Sequence, residues 1–180
     1  QATPNYLGLR GIEFTEFAAA DSHYLATVFQ AFGFSRLKQF SGKAIDYYNQ
    51  HDIHILLNRE KQGFSAGFSK THGPAICSMG WRVDDAVEAR RIAISRGARG
   101  ADPAQTDLPY PAIYGIGDSL IYFIDCFGER GNIYQRDFVD HAEPLLIADL
   151  GFRCIDHLTN NVVQGTMQHW ADFYKQVFGF

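Results

Sequence analysis

The stretch GIEFTEF, residues 11–17, alternates apolar and polar side chains with a period of two, which is typical of a β-strand. We predict an amphipathic helix directly after it, because Asp21 or Ser22 suits the first capping position and apolar side chains follow at helical spacing. Gly33 suits the left-handed position that ends such a helix. The chain is therefore predicted to open with a strand followed by a helix.

The same order of strand, acidic or polar cap, helix and glycine returns twice, over residues 75–97 and over residues 152–179. Further strands are predicted over residues 44–58, as a hairpin, and over residues 119–125. A strand–helix–strand–strand–strand (βαβββ) unit used twice would fill residues 8–140. This pattern predicts an α+β domain of paired βαβββ modules, with curved mixed sheets and helices on the outside.

Loops, a linker and a repeat complete the organisation. Residues 59–74 and 101–117 carry most of the loop signals, and residues 140–151 have the character of a linker. The tripeptide FGF at residues 32–34 returns at residues 178–180, which indicates an internal repeat with a second copy that has just begun. A partial copy of roughly thirty residues is too short to close a core, so we expect a truncated chain.

The repeat places Phe14 of the first copy at the position that His157 holds in the second. Both positions are predicted to face inward from a strand. An imidazole on an inner sheet face needs partners for its ring nitrogens, and either a metal ion or buried hydrogen bonds would supply them. The pattern by itself leaves both possibilities open.

Composition and charge limit the classes of partner. Hydrophobic residues make up 46% and charged residues 20%, and the net charge of −4 comes without a basic run, which argues against nucleic acid as the main partner. No apolar run approaches the roughly 18 residues that span a bilayer. Three widely spaced cysteines, Cys77, Cys126 and Cys154, do not make a disulfide framework, which predicts a cytoplasmic protein.

Other candidate residues give weaker signals. His54 lies on the polar side of its predicted strand, where it would line a cavity or meet water. Cys77 lies in an apolar run and is expected to be a buried, inert thiol. Structural hydrogen bonding is the expectation for Glu13 and Glu16. The sequence contains no G-x-S-x-G elbow, no P-loop and no zinc-ligand spacing.

Three stretches, taken in order, resemble the 4-hydroxyphenylpyruvate dioxygenase family of the vicinal oxygen chelate superfamily. The resemblance extends over about residues 8–180. The stretches are HGPAIC (72–77) running into RVDDA (82–86), DCFGE (125–129) followed by Tyr134 and DFV (137–139), and IDHLT (155–159) followed by Asn161, Gly165, Met167, Trp170 and FGF (178–180).

The resemblance implies two domains, each built from two βαβββ modules. Residues 1–148 then form an N-terminal, non-catalytic domain without metal, and residues 149–180 begin a C-terminal catalytic domain that is truncated here. Similar proteins hold Fe(II) in the catalytic domain through two histidines and a glutamate, a set that leaves positions open for substrate and O2. The first of these histidines maps onto His157, which becomes the predicted metal ligand.

The reaction implied is an oxidative decarboxylation coupled to hydroxylation of an aromatic ring, as in tyrosine breakdown. A small 2-oxoacid chelates the iron, O2 reacts, CO2 leaves, and homogentisate is formed. The other ligands are expected beyond Phe180, so the 180-residue chain is predicted to be inactive and essentially metal-free by itself. Cys126, where a basic residue is more usual, and Asn160 depart from the family pattern.

Three alternatives stay open. One is a hydroxymandelate synthase, which shares substrate and ligands but oxidises the benzylic carbon. Another is an oxygenase-like domain fused to a dehydroshikimate dehydratase. The third belongs to a different class: residues 1–148 would be a non-catalytic module whose role is packing or dimerisation, within a homo-oligomer.

Overall fold

The computed structural model describes residues 4–180, so the first three residues of the predicted 1–148 domain lie outside the described part of the chain. Single turns of 3₁₀ helix lie at Pro103–Gln105, Ile116–Asp118 and Gly128–Arg130. The strands and α-helices are β1 (Leu9–Ala18), α1 (Ser22–Ala31), β2 (Ser35–Phe40), β3 (Ile45–Gln50), β4 (Ile53–Asn58), α2 (Phe64–His72), β5 (Ala75–Val83), α3 (Ala86–Ser95), β6 (Ala112–Tyr114), β7 (Leu120–Ile124), α4 (Ile133–Arg136), β8 (Phe138–Leu145) and α5 (Met167–Phe178).

Local capping signals fix the first helix of each unit. The Asp21 carboxylate accepts the backbone N–H of His23 (3.0 Å) and begins α1. Asp85 accepts the N–H of Glu88 (2.9 Å) and begins α3 in the same way. Gly33 follows α1 at φ 83°, in the left-handed region that favours glycine. The helix boundaries predicted at these positions are confirmed.

The eight strands form one sheet in the order β6-β7-β5-β1-β4-β3-β2-β8. Two units meet at its centre, where β1 and β5 run antiparallel. Each of these first strands also pairs with a parallel strand of its own unit, β1 with β4 and β5 with β7. The last strand, β8, crosses over to pair with β2. The α+β class and the paired units are as predicted, and the curved sheets are joined into one.

The concave face of the sheet encloses a core drawn from both of its halves. Side chains from β6 and β7, near one end, meet side chains from β2, β3 and β8, near the other, so the sheet curls around them. Helices α1, α3 and α5 cover the opposite face. The largest side chains of the concave core are Phe14, Phe40, Tyr47, Tyr110, Tyr122, Tyr134 and Phe138.

Helix α2 replaces part of the loop predicted for residues 59–74. Its first turn is held by a residue far away in the chain: Asp107 accepts the backbone N–H groups of Phe64 (3.2 Å) and Ser65 (2.9 Å). The local sequence at the start of α2, QGFSAG (62–67), contains no acidic side chain that could cap the helix. The prediction of a loop was therefore wrong because the capping group comes from another segment.

The strand predicted over residues 152–158 is also wrong in this structure. The segment pairs with no strand of residues 4–180. Its backbone is held near the β3–β4 turn by the hydrogen bond from Asp52 N–H to the Arg153 carbonyl (3.0 Å) and by the one from Phe152 N–H to Gln50 Oε1 (3.2 Å). A strand needs a neighbour for its ladder of hydrogen bonds, and none is available here. Among the described residues, no helix is both long and apolar enough to cross a membrane.

Candidate functional site

Phe14 occupies the centre of the concave face, at the position that the repeat equates with His157. The side chain is fully buried, and its partner across the β1–β5 pair is Gly80. A Cβ atom on Gly80 would lie 2.9 Å from Phe14 Cζ and nearer still to Cδ1 and Cε1. The ring therefore fills the space above the glycine. This apolar ring, called the Phe14 plug below, occupies the position at which the repeat would place a metal ligand.

His157 does not face inward, contrary to the prediction. Its side chain is 75% exposed, and its Nδ1 lies 2.7 Å from Oδ2 of Asp156, whose side chain is even more exposed. The unpaired segment 152–158 has no sheet to direct alternate side chains into a core, so the imidazole stays in solvent. The pairing engages Nδ1 and leaves Nε2 as the nitrogen without a protein partner among residues 4–180.

The His157 ring lines the rim of a groove of about 560 Å³ between the β1–β5 strands and α5. Its floor is aromatic: the Trp81 ring packs against Phe178 (4.9 Å between centroids) and Tyr174 (6.4 Å). Trp81 Nε1 is buried without a hydrogen-bond partner in the described part of the chain. The groove is mainly apolar, and its polar lining side chains are those of Asp156, His157 and Asn160.

The residues present do not make the iron site that the resemblance implies. Within residues 4–180, no group of three histidine, cysteine, aspartate or glutamate side chains lies close enough together to hold a metal ion. The carboxylate in contact with His157 comes from its sequence neighbour Asp156. One imidazole with an adjacent carboxylate is short of two histidines and a glutamate.

A second, polar cavity of about 380 Å³ lies on the concave side, away from His157. The Arg82 guanidinium joins two carboxylates there, the buried Glu13 through Nε and Oε2 and the exposed Asp52 through Nη2 and Oδ1 (2.9 Å). These contacts hold the pKa of the Arg82 guanidinium above its ordinary value despite its partial burial. His54 and Lys38 also line this cavity.

His54 is fixed by aromatic neighbours inside this cavity. Its Nδ1 lies 2.8 Å from the Tyr47 hydroxyl, and its ring stacks on Tyr134 (4.7 Å between centroids). Its Nε2 lies 3.5 Å from Asp52. Burial lowers the pKa of His54, with the carboxylates of Glu13 and Asp52 opposing that effect. The cavity that the sequence pattern allowed for His54 is present.

A buried polar cluster surrounds Glu16. Its carboxylate accepts hydrogen bonds from Ser78 Oγ (2.7 Å) and Asn58 Nδ2 (3.0 Å), and Asn58 Nδ2 also donates to Asp107 (3.1 Å). Burial raises the pKa of Glu16 and of the adjacent Cys77 thiol. Protein groups use the carboxylate oxygens of Glu16, so the cluster is structural. The burial predicted for the Cys77 thiol is confirmed.

Sequence patterns singled out Glu13 and His54 separately, and the structure brings them into one cavity. Arg82 and Asp52, which join them, were missed as site residues. Arg82 comes from β5, and Asp52 from the turn after β3. The signal that could have found Arg82 is the charge pattern of β1 and β5, since Glu13 and Arg82 are close where these strands pair.

Two strand–helix–strand units, joined through antiparallel first strands around a concave interior, define the vicinal oxygen chelate fold. The structure superposes with a TM-score of 0.84 on a solved xylose isomerase-like TIM barrel/4-hydroxyphenylpyruvate dioxygenase fusion protein, at 26% identity over 99% of this chain and 28% of that one. The family described as "Hydroxyphenylpyruvate dioxygenase, HPPD, N-terminal" matches residues 3–139. The chain belongs to this family.

Two similar proteins of known sequence are each about twice as long as this chain. The chain is 61% identical over 176 residues to Protein MelA of Shewanella colwelliana, covering 98% of this chain and 51% of that protein. It is 37% identical over 182 residues to the 4-hydroxyphenylpyruvate dioxygenase of Pseudomonas sp. (strain P.J. 874), covering 98% and 50%. The chain thus spans about half the length of the curated relatives it matches.

Proposed function

We propose that residues 1–148 are the N-terminal domain, and residues 149–180 the start of the catalytic domain, of an Fe(II)-dependent dioxygenase. The whole protein would convert 4-hydroxyphenylpyruvate and O2 into homogentisate and CO2, within tyrosine breakdown. The observation that carries this proposal is the likeness over 98% of the chain to a relative named for that activity. A cytoplasmic location is proposed with it, supported by the free thiols of Cys77, Cys126 and Cys154.

The N-terminal domain would act as a support for the catalytic domain. The plug of Phe14 over Gly80 leaves the centre of its concave face without room for a metal ion. On the helix-covered face, α5 packs against α3, and Arg96 Nε donates to the carbonyl oxygen of Val177 (3.2 Å). The two helices therefore tie residues 149–180 to the first domain.

His157 would be one iron ligand of the whole protein. A metal-bound histidine commonly donates its second ring N–H to a carboxylate, which fixes the tautomer. The contact between His157 Nδ1 and Asp156 fits that arrangement, with Nε2 as the nitrogen for the metal. The other ligands would come from a region corresponding to the half of the relatives that this chain does not match. Bound iron would supply the activation of O2.

The test uses the intact protein and measures iron content together with homogentisate formation from 4-hydroxyphenylpyruvate. The variant His157→Ala should lose stoichiometric iron, with a loss of turnover beyond the roughly 10–100-fold typical of an outer-shell change. The control is His169→Ala, which removes an exposed histidine of α5. Iron and turnover retained in His157→Ala, or the absence of homogentisate from the unaltered protein, would contradict the proposal.

Two related activities remain candidates. A dehydratase-fused homologue, which would carry an additional domain, is supported by the 32% identity over 176 residues to a protein named 3-dehydroshikimate dehydratase, of which this chain covers 27%. A hydroxymandelate synthase would act on the same substrate. Chromatography of the products separates the synthase from the dioxygenase, because hydroxymandelate and homogentisate differ in the position of the new hydroxyl group.

A role in assembly is the candidate from another class. β8 lies at the end of the sheet, where its outer edge has no strand partner within residues 4–180, and Val139 on this strand is exposed. An open edge offers backbone hydrogen bonds to a second copy. Sedimentation of the 180-residue chain decides this point: a stable dimer would support a role in homo-oligomer formation, and a monomer at all concentrations would reject it.

A further inference from the structure

The polar cavity described above carries two positive and two negative side chains. Glu13 and Asp52 supply the carboxylates, and Lys38 and Arg82 supply the cations. Lys38 Nζ also contacts Asp140 (2.7 Å), an exposed residue that does not line the cavity. A ligand with a single charge would pair with one of these groups and leave a side chain of the other sign without a partner. A zwitterionic ligand would pair with both a cation and a carboxylate.

The two ends of the Arg82 network differ in strength. The inner pair with Glu13 is buried and fixed between β1 and β5. The outer pair with Asp52 joins a carboxylate that is 57% exposed, and its second contact, from Nη1 to Oδ2, is long at 3.4 Å. An exposed ion pair contributes little free energy. The outer face of Arg82 is therefore the exchangeable end of the network.

An apolar wall stands beside this exchangeable end. The Phe127 ring lies next to the Arg82 guanidinium, 5.8 Å from Cζ to the ring centroid. Leu37 and Tyr134 also line the cavity. A volume of about 380 Å³ falls within the range of small-molecule pockets. A flat apolar side chain can rest here while its polar end meets the charges.

From these features we propose that the cavity binds a free aromatic α-amino acid. The α-carboxylate takes the place of Asp52 on Arg82 and also faces Lys38, and the α-ammonium group pairs with the displaced Asp52. The aromatic ring lies against Phe127. This site is separate from His157, and the proposal does not depend on the iron chemistry proposed above.

The experiment is calorimetric or NMR titration of the 180-residue chain with L-phenylalanine. Saturable binding is expected. Phenethylamine, which lacks the carboxylate, and 3-phenylpropionate, which lacks the ammonium group, should each bind at least about tenfold more weakly, equivalent to roughly 1.4 kcal/mol. L-Alanine, which lacks the ring, should also bind more weakly. No saturation by L-phenylalanine, or binding of either single-charge analogue as tightly as L-phenylalanine, would overturn the proposal.

Matched variants locate the binding. Asp52→Asn removes the exposed carboxylate beside the cavity, and Phe127→Ala removes the apolar wall; each should weaken L-phenylalanine binding by about tenfold. Asp118→Asn breaks a comparable exposed pair, with Arg99, outside the cavity and should leave binding unchanged. Circular dichroism confirms that each variant is folded. Undiminished binding by folded Asp52→Asn and Phe127→Ala would overturn the assignment to this cavity.

Discussion

Phe14 lies directly opposite Gly80 in the central β1–β5 pair, and its ring occupies the space above the glycine. The absence of a side chain at position 80 is what admits the plug. Gly80→Ala should therefore destabilise the chain by about 1–3 kcal/mol, the usual cost of overpacking a core. The measurement is the free energy of unfolding by urea.

A matched glycine provides the control. Gly67 lies inside α2, and a Cβ there would meet nothing within 4 Å, so Gly67→Ala should be neutral or stabilising by up to about 1 kcal/mol. The cost of Gly80→Ala should shrink in a Phe14→Leu background, with a coupling of about 0.5–3 kcal/mol. Equal effects of the two alanine substitutions would show that Phe14 does not fill this space.

The second prediction concerns Asp107, which lies in a loop distant in the sequence and caps the first turn of α2. Asp107→Ala removes the cap from Phe64 and Ser65 and leaves the buried Asn58 amide without one of its acceptors. The expected loss of stability is about 1–3 kcal/mol. The control Asp102→Ala removes the cap of a single exposed 3₁₀ turn and should cost within about 0.5 kcal/mol. A similar small effect of both substitutions would contradict the assigned role.

Asp107 also explains why sequence patterns predicted helices α1 and α3 but not α2. Helices α1 and α3 carry their caps, Asp21 and Asp85, within the sequence that forms them. The cap of α2 is Asp107, more than thirty residues away, so its sequence resembles a loop. Hydrogen bonds between residues far apart in the chain produce no periodic pattern or fixed spacing in the local sequence, so the local sequence cannot predict them.

The candidate site shows the same limit. The alternation over residues 152–158 predicts a strand, but a strand forms only beside a partner, and His157 remains exposed in this structure. By contrast, Phe14 lies where the pattern put it, because β1 has neighbours on both sides. The polar cavity joins Asp52 and Arg82 from separate elements, so its charge pairing appears only in three dimensions.

His54 gives a prediction for pH. Burial holds the pKa of His54 below the ordinary value of 6.5, so the unfolded chain binds this proton more readily than the folded chain. The stability contributed by neutral His54 is therefore fully present above pH 6.5 and is lost as the pH falls through the lower folded pKa. Between pH 8 and pH 5, the free energy of unfolding by urea should fall less in His54→Gln than in the unaltered chain.

The control for this titration is His169→Gln, because His169 is exposed on α5 and makes no contact with the cavity. It should keep the pH dependence of the unaltered chain. A pH dependence that is unchanged in His54→Gln would mean that other groups carry the effect.

Metal binding by the 180-residue chain itself is the last prediction, and it follows from the donor count. His157 offers one imidazole, and within residues 4–180 no cluster of three ligand-type side chains accompanies it. Because affinity in such a site comes from several ligands held together, Fe(II) titrated anaerobically should bind no tighter than about 1 mM, or roughly −4 kcal/mol. His157→Ala should change that weak binding little. Stoichiometric micromolar binding, abolished by His157→Ala, would instead mean that this chain assembles a metal site that its described side chains do not reveal.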